Sequence, residues 1–288
     1  MMRNIKLNIL SITLLASLNA FAAEDWSRIN TCEYNDSENE SLITDLIGKM
    51  SIEQKVGQVI QGDLDFISPA DVNKYYIGSV MNGGNTSPNG DKYSSVKDWK
   101  NLSKEFYDAS LEIDGLKIPV LWGTDAVHGH NNIIGATLFP HNIGLGATGN
   151  ATLIKQIGEA IALEVLSTGV VWTFAPTIAV PQDDRWGRTY EGFSEDPVLV
   201  STLGRAMILG LQGEGSNFLD GNHVAATAKH FIGDGGTLNG VDQGNTLVSE
   251  EGLRNIHGQP YFQALDACAQ TVMASFNSWN GSKLHGDK

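Results

Sequence analysis

Lys229 and His230 adjoin where an apolar stretch, residues 224–228, runs into the glycine-rich 233–236. Burying an ammonium or an imidazolium is costly unless partners compensate, so two such groups in succession point to something that arrives from outside the protein. Successive residues of a strand face opposite sides. Both can meet one ligand only where the strand ends or bulges, which the glycines permit. A glycine loop beside a lysine also suggests phosphate, but here the lysine precedes the loop and the P-loop spacing is absent. On the residues alone, a hydrogen-bonded core histidine remains the other reading of His230.

Residues 121–132 read Leu-Trp-Gly-Thr-Asp-Ala-Val-His-Gly-His-Asn-Asn. An ionised carboxylate at a strand end accepts two or more hydrogen bonds, which suits Asp125 to gripping hydroxyl groups, and the flat ring of Trp122 suits the face of a sugar. Capping of a following helix is the plainer use of Asp125. The loop 183–191 gathers two arginines, two aromatic residues and several acids. Gly187, between Trp186 and Arg188, would let the backbone turn and aim ring and guanidinium at one point. A solvated knot of salt bridges is the alternative. Phe276, in Ser-Phe-Asn-Ser-Trp-Asn-Gly at 275–281, closes the set of candidates.

The elements that must position these residues follow from hydrophobic patterning. Strands are predicted at 77–81, 118–123, 170–175, 224–229 and 271–276. Helices are predicted at 42–60 with a break at 50–51, and at 96–111, 151–166, 198–211 and 250–267. Ser51 and Gln54 have capping-box spacing, and Asn150 can cap the helix that follows it. Alternation of strand and helix builds parallel sheets. The leading expectation is an α/β fold of (β/α)8 TIM-barrel type, whose C-terminal rim would collect Asp125, the 183–195 loop, Lys229, His230 and Phe276. A doubly wound sheet would gather them at its carboxyl edge as well. Eight units close such a barrel and five strands are legible, so the barrel is expected to be incomplete at its C-terminus.

Composition narrows the function. The 288 residues are 41% hydrophobic, enough for one large core. A formal net charge of -14 repels nucleic acid and anionic membranes but not a neutral substrate, so neither nucleic acid nor membrane is an expected partner. Arg3 and Lys6, the apolar run 7–18 and Ala20-Phe21-Ala22 read as an export signal over 1–22, placing the protein in the periplasm or outside the cell. The run falls short of the ~20 residues that span a bilayer. Cys32 and Cys268 are the only cysteines. They could form one bond, while Cys268 in its apolar surroundings reads more plainly as a buried thiol. No cysteine–histidine zinc spacing occurs, and neither metal nor cofactor is expected.

Together, residues 123–132, 184–196, 228–237 and 275–281 resemble glycoside hydrolase family 3, in its β-glucosidase and exo-β-glucanase branch, with the likeness running from about Met50 onward. The resemblance implies that 23–288 form part of an N-terminal barrel domain, followed by a second α/β sandwich domain. It also implies hydrolysis of terminal non-reducing β-D-glucosyl residues of oligosaccharides or glucans, with retention. By that resemblance Asp125, Arg188, Lys229 and His230 hold glucose hydroxyls. Retention needs two carboxyl groups about 5 to 5.5 Å apart. In the family the nucleophile is an aspartate of a Ser/Gly-Asp-Trp motif on a later strand, and the acid/base of this branch is a glutamate of the second domain. Asp25-Trp26 lies just past the signal and Asp98-Trp99 in a predicted helix, so neither fits. Both catalytic carboxyls are therefore expected beyond Lys288, leaving a fragment that holds glucose without cleaving it. The loop 233–246 has no histidine, unlike the related N-acetylhexosaminidases, and Phe276 stands where plant relatives commonly carry tyrosine.

Two other readings stay in view. His128-Gly129-His130, with Lys229 as a modified bridging ligand, could serve a metal-dependent amidohydrolase. A non-catalytic sugar-binding fragment would use Asp125 and Lys229 without turnover.

Overall fold

A computed structural model describes residues 26, 37–84, 86–113 and 116–287. The predicted export signal and Cys32 lie outside the described residues. Four strands, β1 (Gln61–Asp63), β2 (Ser79–Asn82), β3 (Leu121–Thr124) and β4 (Trp172–Thr173), lie side by side, all parallel. Trp172 forms a parallel bridge with Ala225, which brings β5 (Thr227–Phe231) alongside β4. A small separate sheet combines β6 (Asn245–Thr246) with the later β8 (Ser278–Trp279) and β9 (Ser282–Lys283). Between them, β7 (Thr271–Ala274) extends the main array by pairing in parallel with β5. The parallel run of the main array is that of a TIM-barrel-like α/β domain.

Local chemistry explains the helices. After α1 (Ser37–Lys49), Ser51 caps α2 (Ile52–Gln58) in a full capping box with Gln54, and Ser68 does the same with Asp71 for α3 (Pro69–Tyr75). In α4 (Val96–Leu111) a third box joins Ser95 and Asp98, while Trp99, Phe106 and Ser110 form its buried stripe. Short α5 (Asn142–Gly146) precedes α6 (Ala151–Ser167), which Asn150 caps through the Leu153 amide. Asp196 caps α7 (Pro197–Gln212), with Pro197 in the first turn.

The predicted helix 250–267 is composite. It comprises α8 (Glu250–Gly252), a π-helical turn Leu253–Gly258, and α9 (Gln259–Asp266). Pro260 has no N–H to return to the carbonyl four residues earlier, so a regular α-helix is interrupted before it. β1 escaped prediction because Gln-Gly-Asp carries no apolar alternation and owes its conformation to pairing with β2. Cys268 is disulfide-bonded, which corrects its reading as a buried free thiol.

Helices α6 and α7 touch through glycines. A methyl group on Gly158 would lie 3.0 Å from the Gly210 Cα, and one on Gly210 would lie 2.2 Å from the Lys155 carbonyl oxygen. Gly210→Ala gains about 1 kcal/mol of helix propensity, but pushing two backbones apart costs about 1–3 kcal/mol, so the close approach wins. Thermal unfolding should place Gly210→Ala about 2–4 °C below wild type. Gly187→Ala, whose added carbon meets nothing within 4 Å, should melt with wild type. Coincident melting of all three proteins would contradict this account of the α6–α7 contact.

Candidate functional site

The ends of the parallel strands supply the charged groups. Asp125 follows β3 directly, and Lys229 and His230 lie near the end of β5. Strand alternation would send the two in opposite directions. The β5–β7 register shifts between Lys229 and Phe231, so the bulge expected from the glycines is present.

Lys229 is 4% exposed, and its Nζ donates to Asp125 Oδ1 at 2.9 Å. An ammonium so enclosed needs its carboxylate. Arg188, in the loop after β4, forks onto Glu191: Nε donates to Oε1 at 2.7 Å and Nη2 to Oε2 at 2.8 Å. The same Nη2 lies 3.2 Å from His230 Nε2, and His230 Nδ1 lies 2.8 Å from Asp234 Oδ2. A guanidinium only donates, so Nε2 accepts and the Nδ1 proton bonds Asp234, an assignment made from the bonding pattern. Burial pushes the Glu191 carboxyl up. Its bonds to Arg188, with the charges of Arg188 and Lys229, outweigh burial and hold it below the ordinary glutamate range. Bonding to Glu191 drives Arg188 further up in turn.

Asp125, Arg188, Lys229 and His230 thus meet in two linked sets. Sequence reasoning missed Glu191 and Asp234 as members. Their signal was spacing, three residues after Arg188 and four after His230.

Two aromatic expectations fail. Trp122 is 3% exposed, edge-on to Phe106 and tilted against Trp99 of α4, with Nε1 donating to Asn82 Oδ1 at 2.7 Å. It faces the helical layer and has no face for a sugar, because strand alternation gives the opposite side to Gly123, where a methyl group would strike Phe174. Trp186 does not converge with Arg188. Its ring is buried and its Nε1 donates to Asp242 Oδ1 at 3.0 Å. Phe276, just past β7, is 64% exposed and stacks on His285 with centroids 5.4 Å apart. None of its described contacts reaches the four charged residues.

The His-x-His pair diverges. His128 stacks on His141 and its Nδ1 lies 3.0 Å from the Phe139 carbonyl. His130 is buried edge-on to Trp99, with Nε2 3.0 Å from Thr168 Oγ1, and burial lowers its pKa to about 4. Among the described residues no three potential ligands cluster in a way that could hold a metal, so the geometry lends the amidohydrolase reading no support.

Residues 51–288 match the glycosyl hydrolase family 3 N-terminal domain. The chain is 32% identical over 270 residues to a lysosomal beta glucosidase of Dictyostelium discoideum, covering 86% of this chain and 32% of that protein. It is 31% identical over 248 residues to a periplasmic beta-glucosidase of Salmonella typhimurium, covering 86% and 30%. The crystal structure of an exo-1,3/1,4-beta-glucanase from a Pseudoalteromonas species superposes with a TM-score of 0.89 at 53% identity, covering 91% of this chain and 33% of that one. The chain therefore spans about a third of the length of these relatives. With its parallel strands and the charged groups at their carboxyl ends, it belongs to glycosyl hydrolase family 3 through that family's N-terminal domain.

Proposed function

We propose that this chain supplies the glucose-holding part of a retaining β-glucosidase or exo-β-glucanase that removes terminal non-reducing β-D-glucosyl residues from oligosaccharides or glucans. One observation carries the reading: each ionic partner at the strand ends is already matched. Lys229 meets Asp125, Arg188 meets Glu191, and His230 meets Asp234. An anionic ligand would have to displace a carboxylate, whereas a neutral polyol needs only the donors and acceptors such pairs leave over. Lys229 has three N–H donors and spends one on Asp125. In this arrangement Asp125, Lys229 and Arg188 contact ring hydroxyls directly, His230 does so by yielding its Nε2 from Arg188 to a hydroxyl, and Glu191 and Asp234 hold Arg188 and His230 in place.

Asp125, Glu191 and Asp234 are each engaged by a cation or an imidazole, which suits them to binding rather than to attack or proton transfer. We assign the nucleophile and the acid/base to sequence outside this chain, the second of them to a further α/β domain. Contacts to hydroxyls remote from the scissile bond then contribute by helping to distort the ring toward the transition state. Residues 1–22 fit an export signal ahead of a barrel domain over 23–288. A periplasmic or extracellular site is supported by the relative named as periplasmic.

Calorimetric titration with laminaribiose tests the assignment. Wild type should bind, and Asp125→Asn should weaken binding about tenfold or more, the cost of one charge-assisted contact. Equal affinities would remove Asp125 from the site. A second measurement concerns pH. Because the folded-state pKa of Glu191 lies below its unfolded value, the stability it contributes is complete above the ordinary glutamate pKa of about 4.3 and is lost as pH falls through the lower folded value. Urea unfolding should show a constant gap between wild type and Glu191→Gln from neutral pH down to about 5, closing at more acid pH. A gap that widened on acidification would reverse the sign of this argument.

A further inference from the structure

The turn that carries Asp234 is gripped from below by the irregular helix. A methyl group on Gly236 would lie 2.3 Å from His257 Nε2, so the imidazole edge presses directly on the Gly236 backbone. Gly233 has a φ of +87°, and a methyl group there would lie 3.2 Å from Leu253 Cδ1. Leu253 and His257 are 4% and 3% exposed, and they are the first and fifth residues of the π-helical turn Leu253–Gly258. The turn is also held by Thr246 Oγ1, which donates to the Gly233 carbonyl at 2.7 Å and accepts from Asn277 Nδ2 at 3.0 Å.

We infer that the π-helical turn Leu253–Gly258 is a positioning element of the sugar site, keeping the Asp234 carboxylate on His230 through the packing of Leu253 and His257 against residues 233–236. This rests on the reading above that His230 meets the sugar. Each residue of an α-helix advances by about 100° around the axis, so the widened turn sets which side chains face the loop independently of the face that α9 packs on α7. Pro260, Tyr261 and Ala264 form that buried face of α9. The charge state of His257 suits the task. Burial lowers its pKa to about 4 against the opposing pull of Asp234, so at neutral pH it is uncharged and does not compete with His230 for the carboxylate.

The test is nuclear magnetic resonance of the His230 Nδ1 proton, identified by its loss in His230→Gln, together with calorimetric titration of laminaribiose. In His257→Ala the proton should exchange with water about tenfold faster and affinity should fall about tenfold, the consequence of loosening one charge-assisted bond. His257→Phe keeps a ring of similar size against Gly236 and should restore both to within about threefold. Gly236→Ala pushes the same ring from the loop side and should reproduce the His257→Ala effects, which covers the case in which His257→Ala fails to fold. Lowered melting with unchanged exchange and affinity would reduce His257 to a packing residue and overturn the inference. If wild type bound no laminaribiose but exchange still responded to His257→Ala, the positioning role would stand and the sugar reading would fall.

Discussion

The enclosed ammonium of Lys229 is the constraint around which this site is arranged. A charge at 4% exposure survives only with a partner close by, and Asp125 provides one at 2.9 Å from a different strand. For the two to meet, β3 and β5 must both lie parallel to the intervening β4 and end at the same rim. Parallel order, short strands and polar loops at the carboxyl ends all serve that contact. Removing either partner would leave an uncompensated charge, so the pair makes the loops' polar architecture obligatory rather than incidental.

The same logic extends outward. Arg188 needs Glu191, His230 needs Asp234, and Asp234 needs a turn held in place by Thr246, Leu253 and His257. The outcome is a rim whose charges are internally matched while part of their hydrogen-bonding capacity is left over. Such a rim discriminates by hydroxyl geometry rather than by net charge, which fits a neutral pyranose better than a phosphate or a carboxylate. In a protein of formal net charge -14, local pairing also shields Lys229 and Arg188 from the surrounding acids.

Much of this was legible in the sequence, and the failures have physical causes. The predicted limits of the helix 96–111 coincide with α4 because a capping box and a buried stripe led by Trp99 and Phe106 agree there. Asp125, Arg188, Lys229 and His230 stood out because polar groups at strand ends have few structural uses. Trp122 misled because a period of two says that neighbours alternate without saying which side faces the helices; only the docking of α4 decides it. Glu191 and Asp234 passed unnoticed since their importance lies in what they hold, and that depends on the turn of the loop. β1 owes its conformation to pairing with β2, which local pattern does not display, whereas the interruption of the predicted helix 250–267 was signalled by Pro260 and was overlooked.

The central claim is that paired charges at one rim receive a single glucose unit. A crystal structure of the chain grown with glucose tests it most directly. The account predicts a pyranose at the carboxyl ends of β3 and β5, with hydroxyls within hydrogen-bond distance of Asp125, Lys229, Arg188 and His230. Glucose ordered elsewhere, with those four residues untouched, would contradict it.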